Sequence, residues 1–157
     1  MSMLVDLADA IEAYPHEFIT LEIVGVDPPG NTIDEDEDVI FDIHVTNTGP
    51  LDVLELSLLV EGLNGTQVKS NGAAAQWTTS FTYDGTSVLD RIPGHSGDDP
   101  VVLSRLHFKQ PRSKSAATDL VRVSVAGYDA DLAHILISHS RADSAAQVTY
   151  RSTVSPA

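Results

Sequence analysis

Residues 33–62 read IDEDEDVIFDIHVTNTGPLDVLELSLLVEG, an acidic turn, an alternating apolar run, an Asn-Thr-Gly-Pro corner and a second apolar run. Val39, Phe41, Ile43 and Val45 recur at every second position, with Ile40, Asp42, His44 and Thr46 between them. That period puts one set on a buried face of a strand and the other, mostly polar, on the opposite face. Asn47-Thr48-Gly49-Pro50 stops the ladder and turns the chain. Leu54, Leu56, Leu58 and Val60 resume the period beyond it. The stretch predicts two core strands of an antiparallel β-sandwich.

The flanking sequence extends this pattern. His16 to Val26 alternates Ile19, Leu21 and Ile23 against Phe18, Thr20, Glu22 and Val24, and Asp27-Pro28-Pro29-Gly30 ends that strand. Leu63-Asn64-Gly65-Thr66 carries a hairpin dipeptide, with a short strand expected at Thr66 to Ser70. Gln76 to Tyr83 places Trp77, Thr79, Phe81 and Tyr83 on one face. Asp84 to Pro100 is irregular, anchored by Val88 and Leu89. Val101 to Gln110 splits into Val102, Leu106 and Phe108 against Val101, Leu103, Arg105 and His107. Pro111 to Asp119 reads as a polar loop. Leu120 to Tyr128 alternates Val121, Val123 and Val125 against Arg122 and Ser124, and Leu132 to Ser138 is apolar on both faces. Val148 to Tyr150 adds a short edge strand. At the front, Leu4, Leu7, Ala8 and Ile11 have helical spacing up to Pro15. Three turns are marginal alone, so this helix needs a surface to dock on.

The expected architecture is all-β: an Ig-like antiparallel β-sandwich of seven to eight strands with one short N-terminal α-helix. Residues 1–15 form the helix, docked on the domain or on a partner. Residues 16–151 form the sandwich, and 152–157 a flexible tail.

Composition bounds the function. At 157 residues the chain makes one domain that buries roughly two-thirds of its unfolded surface. The net charge of −14 repels phosphate backbones and anionic bilayers, so neither nucleic acid nor a membrane surface is an expected partner. Sixteen of the 23 acidic residues are Asp and only three lysines occur, which suits either a high-salt habitat or a generally soluble prokaryotic surface. No apolar run is long enough to span a bilayer as a helix. The N-terminus has neither a basic start nor an apolar core, so no secretion signal is visible; the expectation is cytoplasmic, or exported if the N-terminus is truncated. With no cysteine there are no disulfides, thiolate metal sites or cysteine nucleophiles.

Four features of the stretch and its neighbours carry a resemblance to the CARDB family, the Ig-like "cell adhesion related domain found in bacteria". The run Val39 to Gly49 is similar to that family's strand ending in Asn-Thr-Gly. Leu56 to Gly62, LSLLVEG, resembles its next strand. Ile92-Pro93-Gly94-His95-Ser96 is similar to its Pro-Gly-x-Ser turn, and Leu120 to Asp129, LVRVSVAGYD, to its sixth strand. The resemblance spans residues 20–138 and implies an Ig-like fold. The chain departs from it at Ala133 to His139, where that family has an acidic, asparagine-rich segment.

Little assembled chemistry is visible. Adjacent carboxylates in Asp34-Glu35-Asp36-Glu37-Asp38 offer hard oxygen ligands, but the run lacks the glycine and terminal glutamate of a calcium loop and reads first as a solvated turn. A weak Ca²⁺ site would use Asp34, Asp36 and Asp38, or Asp98, Asp99, Asp129 and Asp131. His134 and His139 fall on opposite strand faces. Asp42 and His44 share a face and would need a serine to complete a triad, which geometry decides and composition does not. No Gly-x-Ser-x-Gly elbow, phosphate loop or dinucleotide fingerprint occurs. Trp77, Phe81 and Tyr83 read as core aromatics, with a sugar- or peptide-binding stripe as the alternative. Tyr128 fits a tyrosine corner. The expected function is a non-catalytic interaction module without a cofactor, binding another protein or itself. A calcium- or carbohydrate-binding adhesin module is the alternative, and an uncharacterised hydrolase the second.

Overall fold

The Asn47-Thr48-Gly49-Pro50 corner carries the chain from one sheet into the other. The computed structural model describes residues 18–27, 32–70, 75–83, 91–95, 99–132, 135–139 and 147–156, with 127–132 and 135–139 described by their backbone. Its strands are β1 (Ile19–Asp27), β2 (Thr32–Asp34), β3 (Val39–Asn47), β4 (Asp52–Gly62), β5 (Gln67–Lys69) and β6 (Ser80–Tyr83), then β7 (Arg91–Ile92), β8 (Val101–Lys109), β9 (Lys114–Leu132), β10 (Ile135–His139) and β11 (Gln147–Ser155). Sheet A has the order β1-β3-β8-β5. Sheet B has the order β2-β11-β9-β4-β6, with β10 beside β9 and β7 beside β4. Pairing is antiparallel except between β11 and β2, which run parallel.

The two runs of residues 33–62 become β3 and β4 and face each other across one core. Val39, Phe41, Ile43 and Val45 of β3 are fully buried, as their alternation predicts. Phe41 meets Phe108, which in turn meets Tyr150, at ring separations of 5.7 and 5.5 Å. Burying each large aliphatic or aromatic side chain is worth roughly 1.5–3 kcal/mol, and this layer holds the sheets together.

In β4 and β8 strict alternation fails, for one physical reason. Glu55 and Arg105 adopt left-handed backbone angles, φ 49° and 61°, and the ladders shift register beside them. A bulge inserts one residue and exchanges the faces on its two sides. Val53 is therefore buried with Leu56, Leu58 and Val60, while Leu54 is half-exposed. In β8, Leu103 joins Leu106 and Phe108 inside, and Val102, expected on their face, is 41% exposed.

Two buried amides organise the turns. Asn47 Nδ2 donates to the carbonyls of Leu51 (2.6 Å) and Ile92 (3.2 Å), and its Oδ1 accepts from Gly49 N–H (3.2 Å). Gln110 Nε2 donates to Asn64 O and Thr66 Oγ1, and its Oε1 accepts from Arg112 N–H. At Gly62 a Cβ would lie 1.9 Å from Thr66 O, so no larger residue fits that chain crossing.

Several expectations are corrected. Eleven strands replace seven or eight, because short segments such as β2 and β7 pair onto longer ones. The flexible tail at 152–157 is instead strand as far as Ser155: Ser152 and Val154 point inward and β2 lies alongside. Val148 to Tyr150 belongs to a longer strand, β11, which pairs with β9 along its length and with β2 only at Thr153–Ser155. The polar loop at 111–119 is strand from Lys114 onward, paired to β11. In the irregular stretch Ile92 is a buried anchor; Val88 and Leu89 lie outside the described residues. The N-terminal helix (1–15) also lies outside them, and no helical element occurs among those described.

Candidate functional site

The outer face of sheet A gathers most of the chemistry-bearing side chains described. β5 pairs with β8 so that Lys69 opposes His107 and Gln67 opposes Lys109, while Val68 and Phe108 between them point inward. Alternation then sends Lys69, His107 and Lys109 to the same outer surface. After β5 the chain returns and Thr78 exchanges both backbone hydrogen bonds with Val68, at 2.8 and 2.9 Å. This bridge sets Trp77 over the three. Lys69 Nζ lies 4.7 Å and Lys109 Nζ 4.6 Å from the indole centre, and the His107 ring stands edge-on at 6.4 Å and 85°. Such cation–π contacts are worth roughly 0.5–1 kcal/mol each at exposed sites.

The acidic turn closes on this cluster. Asp36 N–H donates to Gln110 O, which holds residues 34–38 against the end of β8. Asp38 Oδ1 lies 2.8 Å from His107 Nδ1, and Asp36 Oδ1 lies 3.8 Å from Lys109 Nζ. Glu37 accepts from Asp34 N–H and Glu35 from Ser113 N–H. The carboxylates of Glu35, Asp36, Glu37 and Asp38 thus have separate partners. Asp34 sits on β2, and among the described residues no three Asp, Glu or His side chains converge as a metal site. Of the alternative set, Asp98 lies outside the described residues and Asp99 directly precedes Pro100 and β8. Asp129 and Asp131 lie on β9 opposite Leu54 and Asp52.

Asp42 and His44 do share the outer face of sheet A, but Asp42 serves the backbone. Its Oδ1 accepts from Arg105 N–H at 2.8 Å in the β8 bulge, and its Oδ2 lies 3.1 Å from where a Cβ on Gly25 (φ 62°) would stand. The carboxylate therefore braces the β8 bulge and fills the space a side chain at Gly25 would need. His44 lines a shallow groove of about 210 Å³ with Thr20, Glu22, Thr46 and Pro100, and no serine is among the described residues that line it. His134 lies outside the described residues, and His139 ends β10.

The three aromatics expected in the core divide. Phe81 and Tyr83 on β6 oppose Val60 and Leu58 and lie half-buried against the core. Trp77 precedes that strand and lies on the opposite sheet's outer face. Sequence reasoning found the tryptophan and missed its neighbours Lys69, His107 and Lys109. Their alternate spacing was legible, but the pairing of β5 with β8 was not.

Two ion pairs elsewhere are structural. Gly94 N–H and then the Arg91 guanidinium hold the Asp52 carboxyl below the usual carboxylate range, against an opposing desolvation effect. Glu61 receives Arg122 Nε and Nη2 at 3.1 and 3.2 Å across β4 and β9, and these hydrogen bonds, with the attraction of opposite charges, raise the Arg122 pKa.

No protein-family model and no curated protein matches this sequence. Solved structures do resemble it. The chain is similar to the CARDB domain of the PF1109 protein from Pyrococcus furiosus, which was solved with di-metal ions, at 15% identity and TM-score 0.43, covering 88% of this chain and 90% of that one. It is similar to Spo0M, a sporulation control protein from Bacillus subtilis, at 16% identity and TM-score 0.40, covering 88% of this chain. The chain spans about half of that protein's length, 49%. AvmM, which catalyses macrocyclization in alchivemycin A biosynthesis, is similar at 11% identity and TM-score 0.50, covering 90% of this chain and 92% of that one. At such identities the likeness concerns the fold alone.

Proposed function

We propose that this chain is a non-catalytic Ig-like interaction module of a prokaryotic protein, binding another protein or a second copy of itself. The supporting observation is that the side chains best suited to catalysis are already committed. Asp42 accepts from Arg105 N–H in the β8 bulge, and Asp52 is held by Gly94 and Arg91. A general acid or base needs a free reach to substrate, which these lack. Binding then falls to the surface, where sheet A exposes Val102 among half-buried neighbours. Light scattering after size exclusion tests self-association. With a net charge of −14, copies repel at low salt, where the screening length is about 30 Å at 0.01 M, and approach at 1 M, where it is about 3 Å. The expected result is a mass that rises with salt and protein concentration. A strict monomer throughout ends the self-association half. A hydrolase centred on Asp42 and His44 would lose esterase turnover on His44→Ala; no turnover in either form is expected.

A second reading, a calcium- or carbohydrate-binding adhesin-type module, is favoured by the convergence of the acidic turn on Trp77. Calorimetric titration with Ca²⁺ after EDTA treatment tests the metal half, with Asp34, Asp36 and Asp38 as the residues to neutralise. The absence of both heat and a melting shift disposes of it.

A further inference from the structure

We propose that the Trp77 surface binds a carboxylated saccharide, with the ammonium groups of Lys69 and Lys109 receiving the carboxylate beside the indole. This deepens the carbohydrate half of the second reading and rests on it. The chain holds only three lysines against 23 acidic residues, and two of the three lie on its single tryptophan. In so acidic a chain, lysines would ordinarily be neutralised by carboxylates. Lys69 has no carboxylate within ion-pair distance among the described residues; its contact is the indole. Lys109 has Asp36 at 3.8 Å, but that carboxylate is 67% exposed, and exposed pairs of this kind are worth little. Each ammonium carries three N–H donors, and neither makes a hydrogen bond to a protein acceptor among those described. The Lys109 side chain is 24% exposed, its stem packed on the sheet, and its nearest carboxylate oxygen stands 3.8 Å away, short of a close counter-ion. An incoming carboxylate supplies that counter-ion and displaces Asp36 at small cost.

The indole selects the rest of the ligand. The half-buried indole beside the two ammonium groups is the aromatic platform against which the C–H face of a pyranose would pack. A uronate brings one negative charge per sugar ring into the field of a −14 chain, where a phosphate brings up to two at one point, so the carboxylate is the milder anion at the contact.

The test titrates the full chain with tetragalacturonate and follows the fluorescence of Trp77, with maltotetraose as the neutral sugar and tetraglutamate as the acidic peptide. The expected result is saturable change with tetragalacturonate alone. Lys69→Gln and Lys109→Gln should each weaken it about 10-fold, as loss of a charged hydrogen bond implies, while Lys114→Gln on β9 leaves it unchanged. Circular dichroism checks folding, and Lys69→Gln decides alone if Lys109→Gln fails to fold. Equal binding of both sugars supports a carbohydrate module and overturns the role of the lysines. Tetraglutamate binding as well as tetragalacturonate overturns the saccharide assignment. No response to either sugar overturns both the inference and the carbohydrate reading.

Discussion

Removing the Asn47 amide tests how the corner between the two sheets is held. In Asn47→Ala the carbonyls of Leu51 and Ile92 lose a donor and Gly49 N–H loses an acceptor. The Asn47 site is fully buried, so water cannot take over without opening the corner. A buried polar group left without its partner costs about 1–3 kcal/mol, and the two buried groups, Ile92 O and Gly49 N–H, with partial relaxation give about 2–4 kcal/mol. That is a large share of the roughly 5–15 kcal/mol that stabilises a domain. Urea unfolding followed by Trp77 fluorescence gives the loss, with an unchanged m-value showing that the same surface unfolds. Asn47→Asp sharpens the test because it nearly preserves shape and keeps the acceptor for Gly49. It also sets a carboxylate against two carbonyl oxygens. Burial and those oxygens favour the protonated acid, so the folded pKa is raised, and the penalty is present at neutral pH and shrinks toward pH 4. The Asn47→Ala penalty has no such trend. A loss under about 1 kcal/mol for Asn47→Ala, or an Asn47→Asp no worse than it at pH 7, refutes the role given to the amide.

Three further outcomes follow from the geometry. Because Gly94 N–H and Arg91 depress the folded pKa of Asp52, its contribution is complete above the unfolded value of about 3.9 and is lost as pH falls through the folded one; the stability gap between wild type and Asp52→Asn should close below about pH 4 in pH-dependent urea melts. Gly62→Ala puts a Cβ 1.9 Å from Thr66 O, a backbone atom that cannot swing aside, so it should cost at least about 3 kcal/mol or abolish soluble expression. A double-mutant cycle on Glu61 and Arg122 should return only about 0.5–1 kcal/mol, since the pair is partly exposed, and less in 1 M salt.

Between Val39 and Val45 the sequence determined the inward face outright, because unbroken alternation has only one buried solution. The Asn-Thr-Gly-Pro corner and the Asn64-Gly65 turn were equally legible, since their residue types answer local backbone demands; Asn64 and Gly65 take φ 56° and 87°. What local sequence could not reveal were the bulges at Glu55 and Arg105. Neither residue type announces a left-handed backbone, yet each exchanges the faces of its strand and settles the fate of Val53, Leu54, Val102 and Leu103. The tail became strand through a partner some 120 residues away: Val154 lies beside Ile33. For the site the division is the same. Trp77 and the acidic turn were visible as separate oddities, and the composition set the scarcity of lysine. Only the pairing of β5 with β8, with the return of Thr78 to Val68, placed Lys69, His107 and Lys109 under that indole, because strand partners are chosen by the shared core and not by the residues that end up outside it.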